Sequence, residues 1–149
     1  MSSERPTPAD ESVRRRMSRQ ARRDTGPELA LRRELHRRGL RYRVAVRPIR
    51  ELRGSADIVF SRARVAVYVD GCFWHMCPRH STMPANNACW WRAKLEGNRD
   101  RDRRTDALLE ANGWHVVRVW EHEDAIEAAD RVEIAVRTAL ASAGVRRHP

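Results

Sequence analysis

Four short runs rich in β-branched residues constrain the fold of this chain more than any other feature. The runs "LRYRVAV" (40–46), "ADIVF" (56–60) and "RVAVYV" (64–69) follow one another closely, and "WHVVRVW" (114–120) comes after a long charged segment. Runs of this kind, bounded by turn residues, are typical of β-strands. A turn near residues 61–63 joins the second run to the third, so we expect these two strands to be neighbours in one sheet.

Helical patterns flank and separate the strands. Thr25 is a candidate N-cap, and Glu28, three residues later, completes a capping box. Gly39 is expected to end this first helix as a C′ residue.

Two further helices complete the order of elements. Trp90–Asn112 is predicted to be a charged helix with a break near Gly97, and Asp130 to about Ala143 a final helix with apolar residues at helical spacing. The order helix, three strands, loop, helix, strand, helix predicts an α/β sandwich with a central mixed sheet flanked by helices.

The chain is strongly basic, with 30 Lys and Arg against 20 Asp and Glu and a net charge of +10. The excess is almost entirely arginine, whose planar fork matches phosphate and stacks on bases. The expected partner is therefore a polyanion, above all nucleic acid, although an arginine-rich proteome would also explain the charge. No apolar run is long enough to span a membrane. Three cysteines without a secretory signal favour thiols and metal ligation over disulfides.

A length of 149 residues predicts a single domain. We expect residues 1–12 to be a disordered tail, residues 13–143 the domain, and residues 144–149 a C-terminal tail. The domain opens with a basic arm at residues 13–24, which is either a solvated helix or a segment that orders on DNA. The arginines of this arm that we expect to contact DNA are Arg14, Arg15, Arg16, Arg22 and Arg23.

The segment "VYVDGCFWHMCPRH", residues 67–80, concentrates side chains that bind zinc. Zinc in proteins takes about four soft or borderline ligands in a tetrahedron. The predicted set is Cys72, Cys77, His80 and His122. His122 joins the set only if the strands preceding Cys72 and His122 are neighbours. Cys89 or His75 could replace one ligand, and free thiols with surface histidines are the alternative without metal.

Two aspartates point to a second, harder cation. Asp57 opens the apolar strand "ADIVF", where a carboxylate is unfavourable unless it is paired or bound to metal, and Asp70 ends the next strand. Carboxylates at adjacent strand ends can hold Mg²⁺, which stabilises a phosphodiester undergoing hydrolysis. His75 is the candidate general base for the attacking water. The alternative for Asp57 is a turn or capping residue.

Two aromatic pairs, Phe73-Trp74 and Trp90-Trp91, lie in polar, turn-rich stretches. Aromatic or apolar wedges of this kind can enter between base steps and unstack them, most easily at mismatched bases. Neighbouring side chains can also point to opposite sides, and we expect Trp90 or Trp91 to be ordinary core.

Taken together, the segments "RRDTGPELALRRELHRRGLRYRV", "ADIVF", "VDGCFWHMCP", "WWRAKLEGNRDRDRR" and "GWHVVRVWEHE" resemble the very-short-patch repair endonucleases over about residues 14–143. The block "GCFWH" is the most specific part of the match. The resemblance implies a restriction-endonuclease-like (PD-(D/E)xK-type) fold with a structural zinc. It also implies a magnesium-dependent enzyme that nicks DNA 5′ of the thymine in T:G mismatches left by deamination of 5-methylcytosine.

The resemblance also assigns roles to residues. Asp57 is similar to the magnesium-binding aspartate, His75 to the general base and Glu28 to a supporting acid. The residues that match the aromatic wedge are Phe73, Trp74 and Trp91. The residues that match zinc-ligand positions are Cys72, Cys77 and His122.

This sequence departs from the family pattern at several positions. Val69-Asp70 stands where the pattern has Thr-His, so Val69 could give the metal its backbone carbonyl, and Asp70 could bind metal or lie outside the first ligand shell. Arg79 falls on a zinc-ligand position that it cannot fill, and we expect His80 to replace it. His122 stands where the pattern has cysteine.

The implied partner is double-stranded DNA with a T:G mismatch, bound by a monomer. The implied functional links are to a DNA cytosine methyltransferase and a repair polymerase, in the bacterial cytoplasm and at the nucleoid. A less discriminating nicking or restriction-type nuclease, and a zinc-braced DNA-binding module without catalysis, are the alternatives.

Overall fold

The protein is an α/β structure built on a mixed sheet. The computed structural model describes residues 25–71 and 87–147. The elements in these ranges are α1 (Gly26–Arg37), β1 (Arg43–Val46), β2 (Ala56–Phe60), β3 (Val65–Asp70), α2 (Ala88–Ala111), β4 (His115–Trp120) and α3 (Ala125–Arg147). The strands lie in the order β1-β2-β3-β4. The first two pairings are antiparallel and β3–β4 is parallel. The predicted class, α/β with a mixed sheet and flanking helices, is confirmed.

Helices pack on both faces of the sheet. On one face, apolar side chains of β2, β3 and β4 form a core with Leu35 of α1 and Val132 of α3. On the opposite face, Val59 and Ala66 pack with Leu109 of α2. Because successive side chains of a strand point to opposite faces, alternate residues of β2, β3 and β4 lie beneath α2.

The end of α1 confirms Gly39 as a C′ residue and shortens β1. Gly39 has a φ of 84°. Its amide donates to the carbonyl of His36 at 3.0 Å, and the amide of Leu40 donates to the carbonyl of Leu35 at 3.1 Å. These two bonds form a Schellman motif. The prediction that a strand begins at Leu40 is wrong, because the backbone of Leu40 closes the helix and β1 begins at Arg43.

Helix α2 is continuous through Gly97, so the predicted break is wrong. A glycine costs a helix only about 1 kcal/mol relative to alanine, and the buried Leu95 and Leu109 anchor the helix on both sides of Gly97. Gly113, with a φ of 81°, follows the end of α2. Trp114 donates from its amide to the carbonyl of Leu109 at 2.9 Å, so α2 ends in the same motif as α1.

Helix α3 begins earlier than the sequence pattern predicts. Oδ2 of Asp124 accepts hydrogen bonds from the amides of Ile126 and Glu127, both at 3.2 Å. Asp124 therefore caps the helix, and the predicted start at Asp130 is wrong by more than a turn. The helix ends at Arg147, beyond the predicted end.

Several expectations stay predictions. The tail at residues 1–12 and the whole arm at residues 13–24 lie outside the described residues, and the predicted domain limits are not tested. The restriction-endonuclease-like assignment is also untested. No helix within residues 25–71 and 87–147 has the length and apolarity needed to cross a membrane.

Two glycines should respond to alanine with opposite signs. Gly39→Ala places a side chain at a φ of 84° and should lower the free energy of unfolding by roughly 1–2 kcal/mol. Gly97→Ala, whose new Cβ meets no atom within 4 Å, should raise it by up to about 1 kcal/mol. Urea unfolding monitored by circular dichroism measures both. A destabilised Gly97→Ala variant would show that α2 is broken there.

Candidate active site

The sheet brings Asp57 and Asp70 to one end, as predicted. Strand β2 begins at Ala56 and the antiparallel β3 ends at Asp70. Ile58 pairs with Val67, so the start of β2 lies beside the end of β3.

Asp57 is fixed by the backbone of β3. Its Oδ2 accepts a hydrogen bond from the amide of Val69 at 2.7 Å. This contact lies beyond the last paired residues of the two strands, so the side chain continues the connection where the ladder stops. Oδ1 of Asp57 has no hydrogen-bond partner among the described residues.

The surroundings of Asp57 disfavour its charged form. Burial raises the pKa of Asp57 to about 6, although the hydrogen bond from Val69 opposes this shift. The negative charges of Glu28 and Asp70 raise the pKa further, and Arg32 lowers it. The structure therefore brings Glu28 and Asp70 close enough to Asp57 to raise the pKa of its carboxyl.

Glu28 is buried, with 2% of its surface exposed. Its amide donates to Oγ1 of Thr25 at 3.4 Å, which confirms Thr25 as the N-cap. Its carboxylate accepts a hydrogen bond from Nη2 of Arg32 at 2.5 Å. In a capping box the Glu28 side chain would bind the backbone of Thr25, but here it binds Arg32 instead. The positive charge of Arg32 therefore compensates the buried carboxylate of Glu28.

Asp70 is also compensated by an arginine. Asp70 is 6% exposed, and its two oxygens lie 3.0 and 3.1 Å from Nη1 of Arg118. Nη2 of Arg118 donates to Asp106 at 2.7 Å, and Nη1 lies 3.8 Å from Oδ1 of Asp102. The guanidinium carbon is 4.4 Å from the centre of the Tyr68 ring. These five residues, here called the Arg118 cluster, connect β3, β4 and α2.

Sequence reasoning missed the Arg118 cluster. Its signal was an arginine among the apolar residues of "VVRVW", with Asp102 and Asp106 spaced four apart on one helical face. Desolvation acts to lower the pKa of Arg118, but the hydrogen bond to Asp106 and the nearby negative charges outweigh it and raise the pKa. Burial raises the pKa of Tyr68 to about 12, against the effect of Arg118, so its phenol is protonated at neutral pH.

Much of the predicted site lies outside the described residues. The residues concerned are Cys72, Phe73, Trp74, His75, Cys77 and His80, together with Arg14, Arg15, Arg16, Arg22 and Arg23. Their proposed roles as zinc ligands, wedge, general base and DNA contacts remain predictions.

The strand arrangement required for the predicted zinc site is present. Strands β3 and β4 are parallel neighbours with Asp70 opposite Trp120, and the amide of Glu121 donates to the carbonyl of Asp70 at 2.9 Å. The chain after Asp70 and the exposed His122 therefore leave the sheet at the same end. Within the described part of the chain, no three histidine, cysteine or acidic residues form a group that could hold a metal. Cys89, the competing ligand, is exposed at the start of α2.

Trp91 does not lie on the surface, as the wedge assignment for it requires. It is 3% exposed, and its ring meets that of Trp90 edge-on, with centroids 4.8 Å apart. In this conformation Trp91 is part of the core, and its assignment to the wedge stays a prediction. The expectation that one of the two tryptophans is core is confirmed.

Comparison with known proteins gives a consistent result. The family model "DNA mismatch endonuclease Vsr" matches residues 7–80. The type II nicking enzyme V.NaeI of Lentzea aerocolonigenes is 42% identical over 129 residues, which cover 85% of this chain and 78% of the relative. The type II nicking enzyme V.HpaIIP of Haemophilus parainfluenzae is 32% identical over 82% of this chain and 85% of its own length. The DNA mismatch endonuclease Vsr of Escherichia coli K12 is 36% identical over 68% of this chain and 64% of its own length.

A sheet end with three acidic residues, two of them paired with arginine, thus occurs in a chain that matches these enzymes over most of its length. The protein belongs to the Vsr family of DNA mismatch endonucleases.

Proposed function

We propose that the protein is a magnesium-dependent endonuclease that nicks DNA 5′ of the thymine in T:G mismatches. The observation that carries this proposal is the charge balance at the sheet end. Glu28 is paired with Arg32, and Asp70 with Arg118. Asp57 forms no ion pair among the described residues and has a raised pKa. A partly buried carboxylate without a paired cation is suited to bind one.

The backbone beside Asp57 offers a second oxygen. The carbonyl of Asp70 is bonded to β4 through Glu121, and the backbone groups of successive strand residues point to opposite neighbours. The carbonyl of Val69 therefore points with its amide toward the β2 side, where Asp57 lies. Magnesium is commonly held by one or two carboxylates, water and substrate phosphate. Oδ1 of Asp57 and the carbonyl of Val69 fit that donor set.

The proposed chemistry divides among residues of this chain. When bound, magnesium supplies positive charge that stabilises the phosphate and the leaving oxygen. His75 accepts the proton of the attacking water, and Glu28 supports the site from α1. Phe73 and Trp74 enter the stack beside the mismatch, where unstacking costs least.

Basic side chains are proposed to bind the phosphates of DNA. Helix α2 exposes five arginines, and the arm at residues 13–24 is expected to add more. The exposed arginines of α2 are Arg92, Arg99, Arg101, Arg103 and Arg104. Each phosphate neutralised steepens the salt dependence of binding by a slope of about −0.9. We also propose that the protein acts as a monomer, linked in function to a cytosine methyltransferase and a repair polymerase.

Two of the relatives are named type II nicking enzymes. The alternative function is a less discriminating nicking or restriction-type endonuclease. Matched and T:G duplexes of the same sequence, each with magnesium or with EDTA, separate the two functions. The proposal expects a nick only in the thymine strand of the T:G duplex and only with magnesium. Equal nicking of the matched duplex would support the alternative, and cutting in EDTA would rule out the metal requirement.

Asp57→Asn should abolish nicking and raise the free energy of unfolding. The pKa of Asp57 is raised from 3.8 to about 6 in the fold, so the folded state binds this proton more tightly than the unfolded state. The protonated Asp57 carboxyl therefore contributes to the free energy of unfolding of the wild type below pH 4, and this contribution is lost as the pH rises through 6. The amide side chain of the variant keeps an oxygen for the backbone N–H of Val69 but carries no charge. Above pH 6 the variant should be more stable by on the order of 2 kcal/mol, and it should not nick DNA.

The difference between Asp57→Asn and wild type should shrink when unfolding is measured at pH 4. If the difference in free energy of unfolding stays constant from pH 4 to 8, the pKa of Asp57 is not raised in the folded protein.

We propose a structural zinc bound by Cys72, Cys77, His80 and His122. His122→Ala should reduce the zinc content of purified protein below one equivalent, because it removes one of the four ligands that zinc in structural sites usually has. His115→Ala is the matched control, since His115 is an exposed histidine at the opposite end of β4. Elemental analysis of both proteins measures the outcome. Full zinc in His122→Ala would remove His122 from the set.

A further inference from the structure

Asp70 is the last residue of β3 and is buried at the end of the sheet where Asp57 lies. The carboxylate of Asp70 is bound by Arg118, which lies two positions from it in the register of β3 and β4. We infer that Asp70 and Arg118 form a positioning pair for the catalytic carboxylate, and that Asp70 is not a metal ligand. This inference rests on the proposed function, because it concerns the same site.

The contacts of Asp70 argue against metal binding. Both of its oxygens lie within 3.1 Å of one guanidinium nitrogen, and only 6% of the residue is exposed. A magnesium ion on the same carboxylate would lie close to the positive charge of Arg118, where like charges repel. Arg118 is itself held, because its Nε and Nη2 donate to Asp106 at 3.0 and 2.7 Å. Its guanidinium also stacks on Tyr68.

The same contacts connect the pair to Asp57. The side chain of Asp70 is fixed by Arg118, and its carbonyl by the amide of Glu121 at 2.9 Å. Residue 70 is thus held through both its side chain and its backbone. The preceding residue, Val69, donates the hydrogen bond that orients the carboxylate of Asp57. A change at Arg118 is therefore transmitted through Asp70 and Val69 to the proposed magnesium ligand.

A double-mutant cycle tests the pair. Asp70→Asn keeps the shape of the side chain, and Arg118→Lys keeps the positive charge but loses the planar fork that binds Asp70 and Asp106 together. Each single variant should lower kcat, measured on the intact duplex that the wild type nicks, by roughly ten- to a hundredfold. Loss of a partner that orients a metal ligand has an effect of this size. KM for DNA should stay within about threefold. The double variant should be no slower than the slower single variant.

A matched control separates positioning from a general loss of stability. Asp130 accepts from Nη1 of Arg38 at 2.6 Å, in an ion pair that joins α3 to α1. Asp130→Asn is the same chemical change opposite an arginine, in a pair that joins α3 to α1 and includes no residue of the Arg118 cluster. It should leave kcat unchanged. A fall in kcat like that of Asp70→Asn would show that the effect is not specific to the active site.

The other outcomes overturn the inference. A slow Asp70→Asn with a normal Arg118→Lys identifies Asp70 as acting alone, as a metal ligand would. Independent, multiplying effects of the two changes, or no effect of either, also exclude a positioning pair. If wild type nicks matched and T:G duplexes equally, the proposed specificity fails, and the cycle is read on either duplex. If it nicks neither, the cycle is measured by the melting temperatures of the variants without magnesium. Melting-temperature changes of the two single variants that add up in the double variant would show that Asp70 and Arg118 do not act as a pair.

Discussion

Buried negative charge at one end of the sheet is the constraint on which the rest of the site depends. A carboxylate removed from water is unfavourable unless a hydrogen bond or a cation compensates it. Arg32 supplies that cation to Glu28, and Arg118 supplies it to Asp70. Among the described residues, Asp57 accepts a hydrogen bond from the amide of Val69 and is paired with no cation. Burial raises the pKa of Asp57 to about 6. Its Oδ1, which has no partner within residues 25–71 and 87–147, is the oxygen that the proposed magnesium would contact.

Helix α2 resolves a related conflict of charge. Its sequence is dense in both acids and arginines, which together fill its central part. The two acids that face inward, Asp102 and Asp106, meet Arg118, while Leu109 packs on the sheet. Two of the five acids of α2 thus lie against Arg118, whereas all five of its arginines are exposed, so the exposed side carries more positive than negative side chains. A polyanion approaching α2 thus meets the positive part of a sequence that is nearly balanced when counted along the chain.

Local signals were enough to predict most of the fold. Gly39 and Gly113 mark helix ends because glycine takes a positive φ without strain. The β-branched runs around Ile58 and Val67 predicted strands, and the two runs pair in the sheet. The errors arose where backbone hydrogen bonds decide a boundary. Leu40 looked like strand because its apolar side chain joins the core, yet its amide belongs to the end of α1.

The candidate site was predictable only in part, because its contacts join distant segments. Asp57 and Asp70 could be placed together, since consecutive antiparallel strands bring their opposite ends into contact. The partner of Asp70 could not be found in the same way, because it lies on a strand that pairs with β3 only after the chain has formed α2. Trp91 shows the same limit, since its burial depends on how α2 packs and not on its neighbours in sequence.

The Arg118 cluster also shows why a role cannot be transferred from the family to one residue at a time. Arg118 lies opposite Tyr68 in the sheet, and Asp70 is two residues further along β3. This diagonal relation is within reach of a long side chain, so the guanidinium can stack on Tyr68 and still bind the carboxylate. A histidine at position 70 would place a second basic group against Arg118 and remove one of the acids that balance it. Asp70 and Arg118 therefore have to be interpreted together, and the chemistry of position 70 in this protein follows from its partner on β4.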